Sequence, residues 1–142
     1  MKLLIDVNIL LDVLQKRELH YRESAVIWKL CETEQAKGYV STLTFANPVY
    51  VMRKELTPEK IKEMLRALNL IFEFADFNAS DTMYAADMRW DDYEDAVQCA
   101  VAQRIHADYI ITRNIRDFRK SKGMAIAAIP FQVAEKLLKC IG

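Results

Sequence analysis

The stretch Asp91–Phe118 reads DDYEDAVQCAVAQRIHADYIITRNIRDF, and its three parts decide the fold class. Its acids open a helix, and Asp92 and Asp95, three apart, share one helical face. Ala96, Val97, Ala100, Val101 and Ile105 recur at helical spacing and predict a buried stripe opposite those acids. After only His106-Ala107-Asp108, the run Tyr109-Ile110-Ile111 is short, apolar and partly β-branched, which predicts a buried strand. A turn carrying Asn114 and Asp117 among Arg113, Arg116 and Arg119 closes the stretch. A helix that feeds a buried strand, with acids at one end, predicts an α/β protein with a carboxylate pocket at a strand end.

Working outward, the same alternation recurs along the chain. Leu3-Leu4-Ile5 ends at Asp6 and suits a buried parallel strand, and Ile9, Leu10, Val13 and Leu14 then form a short helix. A helix is predicted from His20 to Lys37, with Gly38 placed to end it, followed by a strand over Tyr39–Thr42. Another helix is predicted from Phe45 to Leu56, its start near Phe45 to Asn47 because Pro48 is tolerated in a first turn. Thr57-Pro58 caps and opens a helix through Leu70, and Ile71–Phe74 alternates as a third strand. Asn78–Met88 reads as a helix capped by Asn78 or Ser80. Ala125–Ile129 is a weak fifth strand and Phe131–Leu138 a closing helix. The expectation is one domain over residues 1–142, with a central parallel sheet of about five strands sandwiched between helices.

Composition narrows the class. Apolar residues make up 52% and charged residues 28%, which fits a globular protein with a real core and argues against a disordered one. The 20 basic and 20 acidic side chains cancel, so any affinity for nucleic acid must come from a local patch. Cys31, Cys99 and Cys140 lack zinc-site spacing and read as reduced thiols of a cytosolic protein. The opening MKLLIDVNILLDVL has Asp6 and Asp12 inside its apolar run, so it reads as a strand and helix of the mature fold. No apolar run is long enough to span a membrane.

Sites in parallel sheets form beyond the carboxyl ends of the strands. Asp6 ends the first strand, Asn114 and Asp117 follow the fourth, and Asp92 and Asp95 begin the helix that returns to that edge. Acids gathered there repel one another unless a cation is present, and Mg²⁺ or Mn²⁺ suits oxygen ligands. The chemistry this implies is metal-assisted phosphodiester hydrolysis. Each residue also has a plainer role. Asp6 and Asp92 are of the type that caps helices, Asp95 favours a first helical turn, and Asn114 and Asp117 suit turns. Asp91 and Glu94 read as solvated charges, and His20 and His106 as structural or surface residues. Arg113, Arg116, Arg119, Lys120 and Lys122 form a basic strip able to contact phosphate.

Three motifs in order carry a resemblance: D-x-N after the first strand, E-D-A before an Ala-rich helix, and I-I-T-R-N-x-x-D-F. Across essentially the whole chain they resemble PIN domains, above all the VapC-like toxin components of bacterial toxin–antitoxin pairs. The resemblance implies a Mg²⁺- or Mn²⁺-dependent endoribonuclease of the cytoplasm, paired with an antitoxin protein and forming a homodimer. It implies that Asp6, Asp95 and Asp117 hold the metal, with Asp92 auxiliary to them. Asn8, Asn47, Thr112 and Asn114 would be the polar residues of the pocket, and Arg113, Arg116, Arg119 and Lys120 the RNA contacts. The chain departs from the family at Asn47, where many PIN ribonucleases carry Glu; Asn offers a carbonyl oxygen but no charge. That departure keeps open a weakened PIN-fold module that binds RNA or a partner protein. Asp6-Val7-Asn8 is also similar to the nucleophile loop of haloacid-dehalogenase-type phosphotransferases, with Asn8 where their second Asp stands.

Overall fold

The computed structural model describes residues 1–43, 45, 50, 52–87, 93–113 and 126–141, without the side chains of 93–95, 126, 127, 140 and 141. The elements run in the order β1 (Lys2–Ile5), α1 (Val7–Leu14), α2 (Tyr21–Glu32), β2 (Lys37–Ser41), α3 (Pro58–Ile71) and β3 (Glu73–Ala75). They continue as α4 (Ala79–Asp87), α5 (Tyr93–Arg104), β4 (Tyr109–Ile111), β5 (Ile126–Ala128) and α6 (Pro130–Ile141). The five strands form one sheet in the order β3-β2-β1-β4-β5, and every pair is parallel. The predicted architecture is the observed one.

Strand β1 lies at the centre, and its alternation divides the core between two layers. Leu3 and Ile5 pack with Ile9, Leu10, Ile27, Leu30 and Leu137 on one face. Leu4 joins Ile110, Val97 and Val101 on the other. Successive strand side chains point to opposite faces, so three consecutive apolar residues anchor both layers. All three are fully buried. Helix α5 is buried more completely than its predicted stripe: every residue from Ala96 to Ala102 is buried, Gln98 included. The reason is that α5 is covered by the sheet on one side and by α4 on another.

Helix α2 stops at Glu32, and Gly38 does not end it. The Gln35 N–H donates to the Leu30 carbonyl at 2.9 Å and the Glu34 N–H to Cys31 at 3.2 Å, with Glu34 at φ 60°. This pair of bonds is a Schellman stop, with Glu34 in the left-handed position that glycine usually takes. Two other helices end the same way. Arg17 N–H donates to the Asp12 carbonyl around Lys16 (φ 49°), and Ala107 N–H to Ala102 around His106 (φ 57°). Gly38 instead sits inside β2, where a Cβ would lie 2.7 Å from Phe72 Cδ1 and 2.8 Å from Cys31 Sγ. Close packing, not a turn, requires that glycine.

The third strand also begins later than the alternation predicts. Helix α3 continues through Ile71, and Phe72 caps it through N–H donation to the Leu68 carbonyl at 2.8 Å. Phe72 then buries its ring edge-on against Trp28 at 5.1 Å. At the start of α3, Thr57 Oγ1 accepts from the Lys60 N–H as the sequence predicts. Most of the helix predicted over Phe45–Leu56 lies outside the described residues; Thr42, Leu43, Phe45, Tyr50 and Met52 are helical.

Candidate functional site

Ile5 and Ile111 are register partners in the β1–β4 pair, so Asp6 and Thr112 leave the sheet side by side at its carboxyl edge. The Asp6 N–H donates to the Ile111 carbonyl at 2.9 Å, which continues the ladder one step. Thr112 Oγ1 donates to Asp6 Oδ2 at 2.8 Å, and the Asn8 N–H donates to Asp6 Oδ1 at 3.4 Å. Asp6 therefore caps α1 and is also held from the side by a fully buried threonine. Capping does not bury this carboxylate completely. Its own residual exposure opens into a cavity lined by Asp6, Asn8, His20, Thr112 and Arg113.

Behind Arg113, which lines this cavity, stands a charge cluster that sequence reading missed. Asp12, on α1, is fully buried, and its Oδ2 accepts from Ser24 Oγ at 2.7 Å. Its Oδ1 has no hydrogen bond of good geometry but lies 3.2 Å from Arg113 Nη2 and 3.5 Å from Arg17 Nη1. The ion pairs compensate that oxygen, since a buried carboxylate without a cation would be expelled or protonated. Arg113, predicted as part of a basic strip, is thus a tethered, partly exposed cation. His20, predicted to be structural or superficial, lines the cavity from the start of α2. His106 does have a structural role, at the Schellman stop of α5.

Asp95 lies in the first turn of α5. The far end of that helix is tied to the amino edge of the sheet: Lys2 Nζ donates to the Ile105 carbonyl, and the Asp108 N–H donates to the Lys2 carbonyl. Twelve residues of helix span about 18 Å. The first turn of α5 is thereby carried back toward the carboxyl edge. Asp92, Asn47, Asn114, Arg116, Asp117, Arg119 and Lys120 lie outside the described residues, as does the side chain of Asp95. Among the described residues, no three His, Cys, Asp or Glu side chains cluster closely enough to hold a metal ion. Two larger clefts lie elsewhere, one beside Tyr109 and α6, the other at the amino edge around Lys37 and Glu73. Neither contains a residue of the Asp6 group.

A parallel sheet with an oriented acid after its central strand is an α/β arrangement of the kind in which binding sites form at the carboxyl edge. The chain belongs to the PIN-domain family, whose family model matches residues 2–116. Solved structures share the fold. A VapBC2 complex from Rickettsia felis, bound to a promoter DNA fragment, is 20% identical, with TM-score 0.67 over 91% of this chain and 98% of that one. A toxin–antitoxin complex from Klebsiella pneumoniae is 23% identical, with TM-score 0.67 over 89% and 96%. FitAcB from Neisseria gonorrhoeae is 17% identical, with TM-score 0.68 over 91% and 98%. No curated protein matches the chain.

Proposed function

We propose that this PIN-domain chain is a metal-dependent endoribonuclease and the toxin of a toxin–antitoxin pair. The observation that carries the reading is the Asp6 carboxylate, oriented by Thr112 and open to a cavity at the carboxyl edge. Oxygen donors of that kind fit a hard divalent cation such as Mg²⁺ or Mn²⁺. In this reading Asp6, Asp95 and Asp117 hold the ion, with Asp92 beside them. The ion, when bound, would lower the pKa of a bound water and neutralise charge at a phosphoryl oxygen.

The chain's own residues supply the rest. Thr112 and the Asn8 N–H fix the two Asp6 oxygens, so that this carboxylate need not reorganise when the site fills. Asn8 and Asn114 would offer neutral hydrogen-bonding groups to the pocket, and Asn47 a carbonyl oxygen where many relatives carry an acid. Arg113, with Arg116, Arg119 and Lys120, would meet phosphates of the RNA strand.

The toxin role draws on the neighbouring folds, among them a toxin–antitoxin complex and a VapBC2 complex bound to promoter DNA. An antitoxin protein and a second copy of the chain are the partners this reading names, and the cytoplasm is its compartment. Among the described residues no helix is long and apolar enough to cross a membrane. Asn47 favours a second reading, a PIN-fold module of weakened activity that binds RNA or a partner protein.

Calorimetry with Mn²⁺ on the wild type and on Asp95→Asn, beside an RNA-cleavage assay, tests the proposal. Saturable binding that the substitution abolishes, with cleavage that depends on metal, is the expected result. Intact RNA binding without Mn²⁺ binding or cleavage would overturn the nuclease in favour of the binding module.

A further inference from the structure

Asp12 is a carboxylate with no exposure to solvent, yet two guanidinium groups converge on one of its oxygens. Arg17 comes from the turn after α1 and donates its Nε to Gln15 Oε1 at 3.1 Å. Arg113 comes from the end of β4, directly after the threonine that orients Asp6. One carboxylate balances only one of the two arginines, so the group carries an excess positive charge beside the cavity that both Asp6 and Arg113 line.

A guanidinium presents five N–H donors in a rigid fork. The Asp12 ion pair engages Nη2 of Arg113, while 27% of the side chain stays exposed. An arginine tethered at one edge loses little further freedom when it binds an anion at another. We propose that Asp12 is a positioning residue that anchors Arg113 at the rim of the Asp6 cavity, ready to receive a phosphate of the substrate strand. The inference rests on the reading of this cavity as an RNA site, and adds a residue that is not one of the proposed metal ligands. A purely structural strut between α1, α2 and β4 is the competing account.

Binding of a fluorescent single-stranded RNA oligonucleotide, followed by anisotropy in Ca²⁺ over a range of salt, separates the two. Asp12→Asn keeps the shape and removes the charge. It should weaken binding about tenfold, as loss of one charge-assisted contact implies. The slope of log affinity against log salt should shrink by about 0.7, the value for one phosphate on a single strand. Arg113→Lys should behave similarly, because a point charge cannot pair with Asp12 and fork onto a phosphate together. Ser24→Ala removes the hydroxyl on Asp12 but touches neither arginine, and should lower the thermal midpoint with the salt slope intact.

Wild-type affinity and slope in Asp12→Asn would overturn the positioning role and leave the RNA reading standing. Should Asp12→Asn fail to fold, wild-type binding by Arg113→Lys would do the same. No binding by the wild-type chain itself would overturn both readings.

Discussion

Thr112 and Asp6 stand 106 residues apart in sequence, yet the threonine hydroxyl lies 2.8 Å from the carboxylate it orients. The bond is buried, and it forms because β1 and β4 pair in parallel with Ile5 opposite Ile111. Thr112→Val keeps the volume and deletes the hydroxyl. Outer-shell groups of this kind are worth about 10- to 100-fold in metal affinity. The expected result is at least a tenfold loss of Mn²⁺ affinity by calorimetry, with a matching fall in RNA cleavage. Unaltered metal binding would show that the hydroxyl orients nothing that matters to the ion.

Among the described residues, three helices stop on non-glycine residues held at positive φ, and each is an opportunity to stabilise the protein. An L-residue in the left-handed region costs roughly 1–2 kcal/mol, of which glycine returns part through its extra freedom in the unfolded chain. Glu34→Gly, at an exposed position, should therefore raise stability by about 0.5–1 kcal/mol in urea unfolding. A lower midpoint would mean that the Glu34 side chain makes a contribution larger than the strain.

A charged pair ties helices α4 and α5 together. Arg104 donates Nε and Nη2 to the two Asp81 oxygens at 3.1 Å each, and also to the Asp76 carbonyl. Asp81 is buried, while about a third of Arg104 remains exposed. Arg104→Ala strands a buried carboxylate. The loss should be about 2 kcal/mol, below the range for fully buried pairs because water reaches the site. That corresponds to a midpoint lowered by roughly 5–10 °C in thermal unfolding. A shift under one degree would mean that water replaces the arginine fully.

Cys31 and Cys99 are buried thiols whose pKa values burial pushes up, to about 12 and about 11. Neither forms thiolate near neutral pH, so neither should react with a thiol reagent at pH 8 in the native protein. Unfolding in denaturant should release both. The sign of the linkage is fixed: a raised folded value means stability is complete below the unfolded value of 9.0 and is lost as pH rises toward the folded one. Alkaline titration followed by circular dichroism should show a stability loss starting near pH 9, reduced in Cys31→Ala relative to that variant's own neutral-pH stability. Rapid labelling of Cys31 at pH 8 would contradict its burial.

Legibility in the sequence followed the range of the interaction concerned. Strand β4 was readable at its observed bounds because Tyr109-Ile110-Ile111 is a bounded apolar run, and Thr57-Pro58 announced α3 by local capping. The end of α2 was not, since Glu34 gives no glycine signal and Gly38 is needed for close packing against Phe72 and Cys31. In the site, Asp6 stood out as a polar residue at the end of an apolar strand, whereas Thr112 entered only through the resemblance to PIN domains. Asp12 did not, because it sits inside an apolar helix and its partners Ser24 and Arg113 come from other elements. A buried acid in that run was the available clue: a helix rarely hides a charge without a cation elsewhere to meet it.

The central place of β1 has a consequence for synthesis. A nascent chain delivers Asp6 early in the domain, but its Thr112 and Ile111 partners emerge from the ribosome only after most of the domain has been made. Until then the strand has a neighbour available on one side alone, in β2. The oriented carboxylate is therefore a property of the nearly finished domain, and a chain truncated before β4 leaves the ribosome without it.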